Sequence, residues 1–318
     1  LRGQLATAQA LGIEQNPRLL WIQNNLAQRP ELQRQWQTWM LTKAAAREPG
    51  VIAASPNFQR RSSGRPNDRF LNFLWHYDLI NVPAAWELSS GSPDTIVAVI
   101  DTGIIADHPD LEGQFVSGYD FISNPVSAGD GDGLDSDPTD IGEGNNPFRS
   151  GDFHGLHVSG TIAARGNNGI GIAGVAYGSR IMPLRALDAN GEGSSYDILQ
   201  AMRYAAGLSN DSGQLPADPA DIINMSLGGG ASSAIEQALI NTLAAQNILV
   251  VAASGNEGSN TVDYPAAYDR VLAVGATGAQ AAVTDYSNRG RQLDLVAPGG
   301  RSAADYNGDG EPDGILST

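Results

Sequence analysis

The 318-residue chain contains no cysteine. Disulfides, thiolate zinc sites, iron–sulfur clusters and a cysteine nucleophile are therefore excluded within it. Basic residues are also scarce, since 19 Lys and Arg stand against 35 Asp and Glu and give a formal net charge of −16. This balance argues against nucleic acid and anionic membrane surfaces as partners. No apolar run approaches the roughly 20 residues that cross a bilayer.

Hydrophobic residues nevertheless make up 41% of the chain and charged residues only 17%, so the chain can bury a core. The first residue is Leu1 rather than Met, and no signal peptide is visible. We therefore expect a processed N-terminus from which any targeting segment is missing.

Residues 1–62 differ in sequence pattern from the rest of the chain and are predicted to form a separate N-terminal region with its linker. Residues 31–48 are rich in good helix formers, Pro49-Gly50 ends that helix, and residues 51–54 are predicted to form one short strand. The polar, dibasic stretch 60–66 is typical of a linker. Residues 63–318 form the second predicted domain.

In the second domain, apolar β-branched runs alternate with helical patterns, which predicts an α/β fold with a parallel sheet covered by helices on both faces. Ligands of such folds bind at the carboxyl ends of the strands. Two long Gly- and Asp-rich segments, 120–153 and 299–314, are predicted to contain no element of their own. The predicted strands are 95–100, 179–187, 221–227, 247–253, 271–276 and 293–297, and the predicted helices are 157–165, 196–208 and 233–246.

The first strand runs into Asp101-Thr102-Gly103, and a carboxylate directly after an apolar strand is costly unless it has a role. A turn-capping Asp is the simpler interpretation. An aspartic protease would need a second such triplet, but Asp211-Ser212-Gly213 lies in a polar loop, and the α/β texture does not suit that all-β fold. We therefore exclude the aspartic protease.

The segment from His154 to Thr161 opens a helix whose small residues allow close packing on the sheet, which would bring His154 near Asp101. A carboxylate beside an imidazole fixes the tautomer and stabilises the imidazolium formed on proton transfer. Two alternatives remain open from these residues alone: a metal site on His154 and His157, or hydrogen-bonded core histidines. A further strand ends in Ser254-Gly255-Asn256, where an Asn amide can donate a hydrogen bond to an oxyanion or can simply form a turn.

Taken together, the motifs VAVIDTG, HGLHVSGT, INMSLGG, VVAASGNEG, YPA, YSNRG, DLVAPGG and ILST resemble the subtilisin-like serine proteases in order and spacing, from about Asn67 to Thr318. The likeness is greatest to secreted bacterial members, which implies an extracellular endopeptidase acting on protein or peptide substrates. The resemblance implies that Asp101 orients the base, His154 is the general base and Asn256 is the oxyanion donor. It also implies a substrate-binding set with an edge strand and a primary pocket: Gly191, Glu192, Gly193, Ser226, Leu227 and Gly228.

Three features depart from the family pattern. Leu156 and Ser159 replace the usual Thr and Ala of the histidine motif, and the disulfides of close relatives cannot form without cysteine. The family's nucleophile lies in a Gly-Thr-Ser-Met-Ala motif shortly after ILST, and that motif does not occur before Thr318. Ser159, Ser226 and Ser254 match other family positions and are no substitutes, so we expect a truncated or nicked precursor that is inactive by itself.

Two acidic loops predict bound Ca²⁺, because carboxylates at alternate positions turn inward toward a cation. A solvated acidic loop is the alternative for residues 305–313, and in the 130–140 loop the cost of packing five like charges together indicates a cation. The first nine positions of an EF-hand-type loop occur near the end of the chain, and a second loop precedes the histidine motif. The predicted ligands are Asp305, Asn307, Asp309, Glu311 and Asp313 in one, and Asp130, Asp132, Asp135, Asp137 and Asp140 in the other.

The N-terminal region resembles the C-terminal half of a subtilisin propeptide, which implies that its tail enters the substrate cleft as an inhibitor. The chain's partners would then be its own propeptide or the C-terminal remainder of the same polypeptide. A helical extension that braces the catalytic domain is the alternative. Two other classes of function stay open, namely a non-catalytic peptide-binding or inhibitory module and a calcium-dependent structural protein.

Overall fold

The computed structural model describes residues 38, 41–48, 50–51, 65–142, 153–301, 305, 308, 310 and 312–318. The chain divides into two compact units, Leu1–Arg61 and Ser62–Thr318. In the first unit, residue 38 and residues 41–45 are helical, within the helix predicted for 31–48. Of the strand predicted at 51–54, only Val51 is described, and it is not in a strand.

A seven-stranded sheet forms the centre of the second unit, with strand order β2-β3-β1-β4-β5-β6-β7. Every neighbouring pair of strands is parallel, so all seven carboxyl ends lie at one edge. The predicted parallel α/β fold is confirmed. The strands are β1 Ile96–Asp101, β2 Tyr119–Asp120, β3 Arg180–Arg185, β4 Ile222–Met225, β5 Leu249–Ala253, β6 Val271–Thr277 and β7 Leu295–Pro298.

Helices cover both faces of this sheet. They are α1 Trp75–Leu79, α2 Val82–Trp86, α3 Pro125–Ala128, α4 His154–Ala163, α5 Ser195–Ala205 and α6 Ala234–Ala245, with 3₁₀ turns at Leu71–Phe73 and Pro109–Leu111. Because side chains alternate along a strand, β1 packs against different helices on its two sides. Val97 and Val99 form a buried cluster with Ala163 of α4, whereas Ile100 lies in the large core that includes Met202 of α5 and Leu243 of α6.

The two long helices begin within one residue of their predicted starts at 196 and 233, and each has a serine cap. The Ser194 side chain accepts a hydrogen bond from the backbone N–H of Asp197, and the Ser233 side chain does the same for Glu236. In the described part of the chain, no helix has both the length and the hydropathy needed to cross a bilayer.

The loop predicted to lack secondary structure, residues 120–153, contains α3 and the last residue of β2, so this prediction was wrong. Asn124 accepts a hydrogen bond from Val126 N and starts α3, which Gly129 ends in the left-handed conformation at φ 74°. Strand β2 precedes it and is held by tertiary pairing to β3. Both elements are too short to give a periodic pattern of apolar residues in the sequence. Residues 143–152 lie outside the described part of the chain.

Candidate active site

Asp101 and His154 meet at the carboxyl end of β1. Oδ1 of Asp101 lies 2.8 Å from Nδ1 of His154. The two side chains differ sharply in burial, since Asp101 is 1% exposed and His154 is 44% exposed. Asp101 Oδ1 also accepts the backbone N–H of Thr102 at 2.8 Å, which fixes the carboxylate in place.

The first turn of α4 sits against the end of β1 because glycine allows the contact. A Cβ atom at Gly155 would come within 2.3 Å of the Gly103 carbonyl oxygen and 3.1 Å of the Asp101 Cβ. The residue before the helix, Phe153, has φ 34° and ψ 42°, so the chain turns sharply into α4. Gly155 therefore sets the approach of His154 to Asp101.

Thr102 supplies a second link that the sequence motif alone does not reveal. Its Oγ1 accepts the backbone N–H of Gly155 at 3.0 Å and donates to Asp140 Oδ2 at 2.6 Å. Both Thr102 and Asp140 are buried. The hydroxyl thus joins the end of β1, the start of α4 and the loop that precedes it.

The Asp101–His154 contact defines the chemistry available to the imidazole. An ionised carboxylate only accepts hydrogen bonds, so Nδ1 of His154 carries the proton in this pair. In the neutral ring, Nε2 then has the lone pair and can accept a proton. When it does so, the buried carboxylate stabilises the resulting imidazolium. The arrangement is that of an oriented general base.

His154 and all six residues predicted to bind substrate line one cavity of about 540 Å³. Those six residues are Gly191, Glu192, Gly193, Ser226, Leu227 and Gly228. The sequence-predicted base and the predicted substrate-binding segments therefore face the same space. Thr102 and Asp140 also reach its wall.

Residues 191–193, predicted as an edge strand, complete a turn that Asp188 organises. Asp188 Oδ1 accepts the backbone N–H groups of Asn190 at 2.8 Å and Glu192 at 3.0 Å. Gly191 has φ 75°, a value that favours glycine, and its N–H donates to the Asp188 carbonyl at 2.9 Å. Pairing of this segment with an extended peptide stays a prediction.

Asn256 follows β5 by three residues, at the same edge of the sheet as Asp101, and its side chain is exposed. The preceding Gly255 has φ 102°. A buried residue that our sequence reasoning missed, Asn288, holds this turn by accepting the backbone N–H groups of Glu257 at 3.1 Å and Ser259 at 2.9 Å. Its only sequence signal is its position in the YSNRG motif.

The histidine that follows in the motif has a different partner from His154. Nε2 of His157 lies 2.9 Å from the carbonyl oxygen of Ile315 and donates to it. Ser317 Oγ in turn donates to the His157 carbonyl at 2.7 Å. The segment 315–318 thus lies along α4, and the two histidines of the alternative metal site bond to different groups.

In the acidic loop before α4, the structure brings together three of the five predicted metal ligands. One carboxylate oxygen from each of Asp130, Asp132 and Asp135 lies within 4.8 Å of the others. The hydrogen bond and charge of Asp135 raise the pKa of the Asp132 carboxyl, and Asp130 acts in the same direction. Hard carboxylate oxygens at this spacing suit Ca²⁺.

The other two predicted ligands of this loop lie outside that group. Asp137 Oδ1 accepts the N–H of Thr139 at 3.1 Å and its hydroxyl at 2.5 Å. Asp140 bonds to Thr102, as above, and to the N–H of Gly142 at 2.9 Å. Their carboxylates therefore stabilise the loop backbone.

A buried arginine anchors the acidic loop to the sheet. Arg185 ends β3 and is 1% exposed, and its Nη1 lies 2.6 Å from Asp120 Oδ2 and 2.5 Å from Asp130 Oδ2. Nη2 donates to the Ala128 carbonyl. Burial raises the pKa of Asp120 to about 7, while hydrogen bonds from Ile122 N–H and Arg185 act against that rise. Sequence reasoning missed this cluster, since its members are far apart in the chain.

Only part of the second predicted calcium loop is described. Asp305 accepts backbone N–H groups from Gly308 at 2.6 Å and Gly310 at 3.1 Å, and Asp313 is fully buried. The predicted ligands Asn307, Asp309 and Glu311 lie outside the described residues.

Comparison with known proteins identifies the family of this fold and site. The sequence profile of the subtilase family matches residues 92–316. An extracellular protease of Xanthomonas campestris is 39% identical over 269 residues, which cover 78% of this chain and 46% of that protein. A thermophilic serine proteinase of Bacillus sp. (strain AK1) is 39% identical over 260 residues, which cover 81% of this chain and 57% of that protein.

The solved structures agree with the sequence comparison. A protease from Pseudoalteromonas arctica PAMC 21717 superposes with a TM-score of 0.71 at 37% identity, and the match covers 80% of each chain. The present chain spans about half the length of the two curated relatives described above. The chain therefore belongs to the subtilase family of serine proteases.

Proposed function

We propose that this chain carries the general base and the oxyanion donor of a secreted, calcium-stabilised serine endopeptidase. The observation that carries the proposal is the 2.8 Å contact between buried Asp101 and the half-exposed imidazole of His154 at the wall of the substrate cavity. Family membership supports peptide-bond hydrolysis as the reaction.

In the first step, a serine oxygen attacks the carbonyl carbon of the scissile peptide bond while His154 Nε2 takes the hydroxyl proton. The carbonyl oxygen becomes an oxyanion, and the side-chain amide of Asn256 donates a hydrogen bond to it. Asp101 keeps the imidazole in the required tautomer and stabilises its positive charge. The product of this step is a tetrahedral intermediate.

In the second step, the intermediate collapses and the carbon–nitrogen bond breaks. His154 returns its proton to the leaving amine, and the acyl group stays on the serine. Water then adds to the acyl carbon with His154 again acting as base, and the carboxylic acid product leaves. One water molecule is consumed, and every group of the enzyme returns to its initial state.

We assign the nucleophilic serine to residues that follow Ile315-Leu316-Ser317-Thr318 in the complete polypeptide. The hydrogen bond of Ser317 with His157 supports this assignment, because it holds residues 315–318 beside α4, the helix that carries His154. Ser159 and Ser254 are buried in the structure, and Ser226 accepts a hydrogen bond from Asn224 at 2.9 Å. Ser159 and Ser254 therefore pack in the interior, whereas Ser226 lines the substrate cavity.

The cavity suits a peptide substrate in extended conformation. Gly191, Gly193 and Gly228 line the cavity without side chains, which allows a peptide backbone to approach its wall there. We also propose an extracellular site of action, because a relative 39% identical to this chain is named an extracellular protease.

We propose that Asp130, Asp132 and Asp135 hold Ca²⁺, with a further ion bound in the loop from Asp305 to Asp313. Three carboxylates within 4.8 Å repel one another, and the raised pKa of Asp132 reflects that crowding. A divalent cation relieves this repulsion and stabilises the loop. It takes no part in the bond-breaking steps.

The N-terminal unit is proposed to act as the propeptide of the domain that follows. Its support is the resemblance of its sequence to a propeptide, together with the helical residues 41–45. On this proposal, cleavage of the 1–62 region from the complete protein precedes activity.

The test uses the complete polypeptide with an intact C-terminal segment. His154→Ala should abolish labelling by an organofluorophosphonate probe and lower kcat on a peptide substrate by about 10⁶-fold. His108→Ala is the matched control, because His108 caps a 3₁₀ turn, where its Nδ1 accepts Asp110 N–H at 3.3 Å, and it should keep full activity. Peptide binding without labelling in the unmutated protein would instead favour the non-catalytic binding module.

A further inference from the structure

Asn288 is fully buried, and its amide is directed at the turn that carries Asn256. Its Oδ1 accepts two backbone N–H groups, those of Glu257 and Ser259, at 3.1 and 2.9 Å. Its Nδ2 donates to Glu257 Oε2 at 2.7 Å. A buried amide with this many directional partners fixes its neighbours in one geometry.

The same residue also contacts the turn before Asn256. Asn288 N–H donates to the Gly255 carbonyl at 3.0 Å. A Cβ atom at Gly255 would lie 2.2 Å from Asn288 Nδ2, so the amide occupies the space that the glycine leaves open. Asn288 therefore holds the chain on both sides of Asn256.

One carboxylate oxygen connects Asn288 to Asn256 itself. Glu257 Oε2 accepts the backbone N–H of Asn256 at 3.0 Å and, at the same time, the Nδ2 hydrogen of Asn288. The hydrogen bond from Asn288 Nδ2 lowers the pKa of the Glu257 carboxyl, and desolvation acts in the opposite direction. The backbone of Asn256 is thus tied to a buried anchor through a single atom.

We propose that Asn288 is a positioning residue for the Asn256 amide, acting through Glu257 and the backbone of residues 255–259. The inference rests on the proposed function, in which Asn256 donates to the oxyanion. An oxyanion donor works only when it is held at about 2.7–3.1 Å from the developing charge. A misplacement of about 1 Å can cost about 10²-fold in rate.

The experiment is a double-mutant cycle on kcat in the complete polypeptide. Asn256→Ala should lower kcat by about 10²–10³-fold, the magnitude measured for one oxyanion donor in a subtilisin. Asn288→Ala should lower kcat by about 10-fold or more with KM changed less than about twofold. In the Asn256→Ala background, Asn288→Ala should lower kcat by less than about twofold, because the amide it positions is gone.

Asn210→Ala is the matched control, since Asn210 also organises a turn, with bonds to the Leu208 and Gln214 carbonyls and to Ser212 N–H, away from the cavity. It should leave kcat unchanged. If Asn288→Ala acts equally in both backgrounds, or leaves kcat as it is, the positioning role is overturned. If Asn256→Ala has no effect on kcat, the proposed oxyanion role fails first.

A second pair of variants decides the question if Asn288→Ala does not fold. Glu257 is exposed, so its replacement spares the core. Glu257→Ala removes the bridging oxygen and should lower kcat with KM unchanged, whereas Glu257→Gln keeps an acceptor there and should retain most of the activity. Equal activity of Glu257→Ala and the unmutated protein would overturn the proposal.

Discussion

Gly155 lies so close to Gly103 that only a residue without a side chain fits at position 155. This contact allows α4, which carries His154, to pack against the end of β1, which carries Asp101. A Cβ atom at Gly155 would lie 2.3 Å from the Gly103 carbonyl oxygen. The same position is 3.1 Å from the Asp101 Cβ. The Asp101–His154 distance is therefore set by the residue after the histidine.

We expect Gly155→Ala to lower kcat by about 10²-fold, because the added methyl group displaces the first turn of α4. Gly278→Ala is the control, since nothing lies within 4 Å of the methyl group at Gly278. Peptidase kinetics on the two complete proteins checks this. Unchanged kcat in Gly155→Ala would show that the contact does not position His154.

The hydroxyl of Thr102 should stabilise the folded protein as well as hold the start of α4 against the end of β1. Thr102→Val keeps the shape but leaves Asp140 Oδ2 without its donor and Gly155 N–H without its acceptor. We expect the free energy of unfolding to fall by about 1–3 kcal/mol. Thr102→Ser retains the hydroxyl and should lose much less. Urea denaturation of both variants measures the difference, and equal losses would rule out the hydrogen bonds as the cause.

Removal of calcium should lower the melting temperature of the protein. An ion present at 100 times its Kd adds about 2.7 kcal/mol to the free energy of unfolding. Asp132→Asn should reduce the difference between melting in CaCl₂ and melting in EGTA, and the remaining difference would come from the ion proposed for the loop from Asp305 to Asp313. Asp218→Asn, an exposed carboxylate away from the loop, should keep it. A full calcium response in Asp132→Asn would exclude the 130–135 group as the site.

His76 in α1 should make stability depend on pH. Burial lowers its pKa to about 4, and the charge of His157 acts in the same direction. Because the unfolded chain takes up this proton near pH 6.5, the stability contribution is complete above pH 6.5 and is lost as pH falls toward 4. From pH 7.5 to 5 the loss is about 2 kcal/mol.

His76→Phe removes the titrating group and keeps an aromatic ring beside Trp75 and Tyr77, with which His76 packs at ring-centre distances of 5.6 and 4.6 Å. Its unfolding free energy should therefore fall less between pH 7.5 and 5 than that of the unmutated protein. Chemical denaturation at the two pH values checks this. The same fall in both proteins would contradict the assignment to His76.

The sequence predicted those parts of the fold that local patterns determine. The central strands are continuous apolar runs, and the predicted strand at 95–100 differs from β1 by one residue at each end. Strand β2 was missed because its two residues pair with β3 only through the tertiary fold. The prediction that residues 120–153 lack structure failed because α3 has only four residues, too few for a periodic pattern, and because Arg185 of β3 holds the Ala128 carbonyl from a distant part of the chain.

The candidate site shows the same division. Asp101 and Asn256 follow apolar strand patterns and His154 begins a helical one, so each could be predicted from a local sequence motif. The residues that hold them are separated in sequence: Thr102 reaches Asp140 across 38 positions and Glu257 reaches Asn288 across 31. The structure brings together three of the five acidic residues predicted as metal ligands in the 130–140 loop. The spacing of the acidic residues in the sequence does not indicate which three these are.

The most direct test of the central claim is the effect of Asp101→Asn, alone and with His154→Ala, on kcat in the complete polypeptide. If the two residues form one general base, Asp101→Asn should lower kcat by about 10⁴-fold, and the double variant should be no slower than His154→Ala. An Asp101→Asn protein with unchanged kcat, or a double variant whose loss is the product of the single losses, would contradict the account.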